Sequence, residues 1–63
     1  MKNFNYKDYY IMLERQHNGS IHAVASSDND RFGEVFYDYP LSYVVSKMKK
    51  DCNYRIKSNI KQF

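Results

Sequence analysis

Between Val35 and Cys52 the hydrophobic period of the chain changes, and that change limits the folds open to it. Val35-Phe36-Tyr37-Asp38-Tyr39 is a run of β-formers about one strand long. Pro40 then removes a backbone donor, a loss that a first helical turn tolerates because that donor has no partner there. Asp38 stands just upstream as a candidate cap. Leu41, Val44, Val45, Met48 and Cys52 follow at spacings of three and four, which is one stripe along a helix. Asn53 tolerates the left-handed conformation that ends helices, so the spacing predicts a helix over 40–52. About three turns of helix are marginal alone in water. This one needs a sheet to lie on.

The front of the chain supplies it. Tyr9 to Gln16 alternates as a strand, and Ile21 to Ser26 reads as its return. Asn18-Gly19 between them is the signature of a two-residue type I′ turn. That loop length would set Arg15 opposite His22, Leu13 opposite Val24 and Ile11 opposite Ser26. The Ile11, Leu13, Val24 face is then the inner one, and Met12, Glu14, Ala23 and Ala25 lie outside. Turn formers from Ser27 to Gly33 lead into a third strand, Glu34 to Tyr39. Residues 1–8 read as a loose start on which Phe4 and Tyr6 can still dock. Beyond Asn53, Tyr54-Arg55-Ile56-Lys57 suits a short fourth strand, while Ser58 to Phe63 suits a helical turn with Ile56, Ile60 and Phe63 as its stripe. The expectation is one α+β domain: a three-stranded antiparallel meander over 9–39, one α-helix over 40–52 packed on it, and a basic segment over 53–63 that takes either form.

Sixty-three residues bury only roughly 60% of the unfolded chain's surface, so the core is small and self-association is open. One cysteine allows no internal disulfide. No apolar run approaches the roughly 20 residues of a membrane span and no secretory signal block is recognisable, which predicts a cytoplasmic chain with no membrane partner. The formal net charge of +3 is unevenly spread. Residues 1–45 hold four bases against six acids, and residues 46–63 hold six bases against Asp51 alone. A basic end on an acidic body suits phosphates or an acidic protein surface. An overall bias towards Lys, Asn, Ile and Tyr would produce the same end without a partner.

Recognisable chemistry is sparse. Asp28-Asn29-Asp30-Arg31-Phe32-Gly33 opens like a calcium loop, but Phe32 stands where an oxygen is needed and Tyr39 where a bidentate Glu is needed. A polar turn is the better reading. His17, His22 and Cys52 are the only soft metal ligands, without zinc spacing. His22 reads as a solvent-facing sheet residue and Cys52 as a small buried hydrophobe. Neither Cys52 nor Ser26, Ser27 or Ser42 has a recognisable base, so catalytic residues, metal and cofactor are all expected to be none.

Seven tyrosines and four phenylalanines without a tryptophan exceed what so small a core can hold. Phe36 or Tyr37, Tyr39, one of Tyr9 and Tyr10, and Phe32 are the candidates for the inside. Tyrosines left outside suit an interface, because they bring rigid area and a hydroxyl together; they also serve as half-buried filler in a small sheet. The order of hairpin, aromatic strand and short basic helix, carried by Asn18-Gly19, Phe36, Tyr37, Tyr39, Leu41, Val44, Val45 and Met48, resembles small accessory proteins of tailed phages. The resemblance implies a non-enzymatic protein that binds a host or viral factor, and it transfers no functional residue. The leading expectation is therefore a protein-interaction module contacting an acidic partner through Tyr10, Tyr43, Lys49, Lys50, Tyr54 and Arg55. The alternative is nucleic-acid binding, with Lys47, Lys49, Lys50, Arg55, Lys57 and Lys61 on phosphates and Tyr54 stacking on bases. A homodimer through strand pairing or the open sheet face is compatible with both.

Overall fold

The computed structural model describes residues 3–61, with side chains through Ser58. The chain folds into four antiparallel strands in the order β1-β2-β3-β4, followed by one helix. The strands are β1 (Asn3–Tyr6), β2 (Tyr9–Arg15), β3 (Ile21–Ser26) and β4 (Arg31–Phe36), and the helix is α1 (Leu41–Lys61). The class is α+β, with one more strand than the meander expected. That strand is at the front: Asn3–Tyr6 pairs with β2, with Phe4 opposite Ile11 and Tyr6 opposite Tyr9. Residues 1–8 therefore do not read as a loose start over 3–8.

The β2–β3 pair forms one residue out of the predicted register. Glu14 faces His22, Leu13 faces Ala23 and Ile11 faces Ala25. The loop holds three residues rather than two: the Gln16 amide donates to the Ser20 carbonyl at 2.8 Å, and the Gly19 amide donates to the Gln16 carbonyl at 3.0 Å. Only Gly19 has a positive φ (90°), whereas a type I′ turn needs two such residues. Asn18 instead turns its side-chain oxygen onto the Ser20 amide (3.0 Å) and hydroxyl (2.7 Å). The extra residue exchanges the faces of β3. Ala23 and Ala25 are buried and Val24 lies outward, while Ile11 and Leu13 stay inside as expected.

Those two alanines position the helix. With no side chain beyond Cβ at Ala23 and Ala25, α1 lies directly over β3, and Val44, Met48 and Cys52 fill the space with Ile11, Leu13, Ile21 and Phe36. Leu41, Val45 and Ile56 flank this row. Pro40 is the cap position, since its carbonyl accepts from the Val44 amide at 3.2 Å. Asp38 does not cap: it takes φ 63° in the turn before the helix.

The helix does not stop at Asn53, and neither a fourth strand nor a separate turn follows it. Asn53 is a joint to the sheet instead, its side-chain oxygen accepting from Lys7 Nζ (2.6 Å) and the Tyr6 hydroxyl (3.2 Å). Two residues on, Arg55 Nε meets Asp30 Oδ2 at 2.9 Å, and its guanidinium lies 4.4 Å from the Phe32 ring centroid. Asp30 Oδ2 also accepts from the buried Tyr9 hydroxyl at 2.6 Å. These ties carry the helix past the expected end. The stripe through Ile60 and Phe63 lies outside the described side chains.

Both outer strands carry protection against further pairing. β1 is four residues long, and β4 points Glu34 towards the helix, beside Lys47 (3.7 Å).

Candidate interaction surface

Helical geometry separates the bases of α1 into three rows. Lys47 lies on the β4 side, its ammonium 2.8 Å from Asp51 and 3.7 Å from Glu34. The hydrogen bond to Asp51 holds the Lys47 ammonium above its usual range. Glu34 is raised by a shared hydrogen bond with Asp51 and by burial. Burial also works to raise Asp51 but is outweighed by hydrogen bonds from Glu34 and Lys47, which leave its carboxyl below the ordinary range. Lys49 lies on the opposite side, 5.8 Å and 5.5 Å from the ring centroids of Phe4 and Tyr6. Lys49 and Arg55, two of the cations expected to meet a partner, thus rest on the chain's own rings, and Arg55 and Lys47 are held by its own carboxylates.

The third row faces away from the sheet. Tyr43, Ser46, Lys50, Tyr54 and Lys57 recur at spacings of three and four and are all exposed, Tyr54 at 72%. Tyr43 and Tyr54 stand about 16 Å apart at a rise of about 1.5 Å per residue. Lys50 and Lys57 form no ion pair among the described residues. Lys61 continues the row at the end of α1, its side chain outside the described set.

The row begins on an aromatic platform. Tyr39 stacks on Tyr43 with centroids 4.5 Å apart and planes at 17°, and both meet the buried Phe36 edge-on at 6.3 Å. A hollow of about 90 Å³ between Tyr43, Ser46, Lys47 and Lys50 adjoins it. Sequence reasoning offered Phe36 or Tyr37, and Tyr39, for the inside as members of a strand to Tyr39, and of these Phe36 is buried. Strand β4 ends at Phe36, and both tyrosines are exposed. The signal was Pro40: it biases the residue before it away from the helical conformation, and Tyr37 to Tyr39 form the turn into the helix rather than the sheet.

Tyr10 is not part of this surface. It lies on the opposite side of the molecule, on the sheet face that no helix covers, where the outward residues of β2 and β3 form rows. Tyr10 pairs with Ser26, Met12 with Val24, and Glu14 with His22. Tyr10, Met12 and Val35 are exposed there, and a shallow hollow of about 400 Å³ opens over Met12, Glu14, His22 and Val24. Of the six residues expected to act together, the structure brings Tyr43, Lys50 and Tyr54 into one row and sets Tyr10, Lys49 and Arg55 apart from it.

Among the described residues no three His, Cys, Asp or Glu side chains converge on a metal position. Burial raises the Cys52 thiol to about 11, with the Asp51 charge adding to it, which keeps the sulfur protonated and unreactive at neutral pH. No described helix is long and apolar enough to cross a membrane. No family model, curated protein or solved structure matches the chain.

Proposed function

We propose that the protein is a non-enzymatic interaction module that binds an acidic surface of another protein along the outward row of α1. Tyr39, Tyr43 and Tyr54 are the anchors, and Lys50 and Lys57 are the charges that steer and orient the partner. One observation carries this reading: the helix face turned away from the core presents rigid tyrosines between lysines that form no ion pair among the described residues. A core needs nothing from that face. Its aromatics are exposed where polar residues would cost less, and its acids are absent.

The charge pattern favours a protein over a nucleic acid. Of the six bases that would track a phosphate backbone, Lys47 and Arg55 hold internal carboxylates and Lys49 lies on two rings. At most Lys50, Lys57 and Lys61 are left, enough for about a 40-fold change in affinity between 50 and 200 mM salt, against 10³-fold or more for six or more contacts.

The test is recovery of a partner from native lysate by tagged protein, after nuclease treatment and a high-salt wash. A discrete protein should be retained by the wild type and lost with Tyr54→Ala or with Lys50→Glu/Lys57→Glu. Recovery abolished by nuclease would replace this reading with nucleic-acid binding. Recovery indifferent to those substitutions would remove the row from consideration.

A further inference from the structure

We infer that the acidic partner meets α1 as a helix, and that it seats an acidic side chain in a socket formed by Tyr43, Ser46, Lys47 and Lys50. The inference rests on the acidic-partner reading and adds to it the partner's secondary structure and the spacing of its acids.

The four residues stand at positions i, i+3, i+4 and i+7, the diamond of side chains into which a facing helix inserts one knob. The hollow between them is about 90 Å³. Small-molecule sites begin at roughly 300 Å³, so this one suits a single side chain. Ser46, with only a hydroxyl beyond Cβ, leaves the diamond open. Two of its walls are already fixed. Tyr43 is stacked on Tyr39 and edge-on to Phe36, and Lys47 is held by Asp51 at 2.8 Å and Glu34 at 3.7 Å. A socket with fixed walls loses little side-chain freedom when it is filled. Lys50 closes the diamond, exposed and in no ion pair among the described residues. A carboxylate seated here can accept from the Lys50 ammonium and the Ser46 hydroxyl, with its methylenes on the Tyr43 ring.

The diamond repeats. Lys50, Asn53, Tyr54 and Lys57 have the same spacing one heptad later, and Lys7 borders them through its 2.6 Å bond to Asn53. This repeat identifies the partner's secondary structure. A facing helix returns side chains to the same side at the same interval, about 10.5 Å per seven residues. An extended strand returns them about every 7 Å and falls out of step after the first socket. A helix crossing at about 20° keeps both sockets filled.

Charge then selects which helix. A second copy would set Lys50 and Lys57 against the lysines of its own row. The open sheet face, with Glu14 and Arg31 as one acid and one base, has no net sign to select by. The partner helix carries Glu or Asp seven residues apart, which places one acid beside Lys50 and the next beside Lys57.

Nuclear magnetic resonance titration of the full chain tests this, with circular dichroism to verify that each variant is folded. The probe is an alanine- and glutamine-based peptide of about 18 residues, long enough to be helical, with glutamates seven residues apart. A second peptide of the same composition disperses its glutamates around the helix. The heptad peptide should shift the amides from Tyr43 to Lys57 and bind at least tenfold more tightly than the dispersed one. Ser46→Leu, which fills the socket, should weaken it at least tenfold, and Met12→Ala on the sheet should leave it unchanged. A Lys50→Glu/Lys57→Glu variant should lose this peptide and bind its counterpart with lysine in place of glutamate. Equal binding of the two glutamate peptides overturns the helical partner and leaves the acidic-partner reading standing. Binding indifferent to Ser46→Leu overturns the socket. Failure of both peptides at about 1 mM overturns the inference too, and recovery from lysate then decides the acidic-partner reading on its own.

Discussion

The two broad faces of this molecule are built from similar exposed residues and differ in what lies beneath them. On the helix row, Tyr43 and Tyr54 are carried by a rod whose other bases are already tied to Glu34, Asp51 and Asp30 or rest on Phe4 and Tyr6. On the sheet face, Tyr10, Met12 and Val24 are fixed by hydrogen-bonded strands on both sides. The internal pairs consume the acids that would otherwise neutralise the row, so Lys50 and Lys57 are left to act outward. The sheet keeps its two charges in balance. Exposed aromatic area alone does not select a partner; the residual charge around it does.

The difference can be broken most severely from the shared core. Met48 is fully buried between the helix and β3, and Met48→Ala should cost about 2–5 kcal/mol, read as a shift of the urea midpoint. The sheet and the helix should then unfold at the same urea concentration. Separate midpoints would show that the faces do not share one cooperative unit.

Alkaline titration probes the seam between the layers. Burial, with the hydrogen bond to Asp30, raises the Tyr9 hydroxyl from its ordinary value of 10.0 to about 12, and burial raises Cys52 from 9.0 to about 11. Both groups hold their protons longer in the fold than in the unfolded chain. Their contribution is complete below about pH 9 and is lost as pH rises through 11 and 12, on the order of 2 kcal/mol per group. Urea midpoints between pH 8 and 12 should show this fall, and a Tyr9→Phe/Cys52→Ala variant should show a flatter profile. A wild-type profile without the fall would place both groups in contact with water.

Asp30→Asn sharpens the contrast by freeing Arg55. It should cost about 1 kcal/mol, because the pair is half-exposed. It should also add a cation to the helix side, strengthening capture of an acidic partner. The smallest effect is expected at the β1–β2 turn, where Lys7 holds φ 54°. Lys7→Gly removes that strain for a gain of about 0.5–1 kcal/mol in thermal or urea stability, less the lost bond to Asn53.

The helix stripe, the β2 and β3 strands and the burial of Ile11, Leu13 and Cys52 were legible because each follows a period that only one element satisfies. Strand β1 was not. Asn3 and Asn5 are poor β-formers and lie on the open face, where packing does not select for better ones, and the turn after them has no glycine. The register of β2 and β3 was misread because Asn18-Gly19 serves two turn types. The choice depends on the Asn18–Ser20 hydrogen bonds, which pair spacing does not reveal. The length of α1 escaped for a similar reason. Asn53 permits a stop, but Arg55 meets Asp30, 25 residues away in sequence, and the nearby Phe32. The charge asymmetry marked the basic end of the chain, yet it could not tell a tethered base from a free one.

Glu34 has a meaning beyond its ion pair with Lys47. A strand arriving alongside β4 would extend the sheet past the shelter of the helix and take this carboxylate's remaining water. In a chain rich in tyrosine and short on core, runaway stacking into fibres is the ever-present competitor to the fold. A single acid turned inward at the margin works as a gatekeeper. It keeps the border of the sheet closed to endless growth.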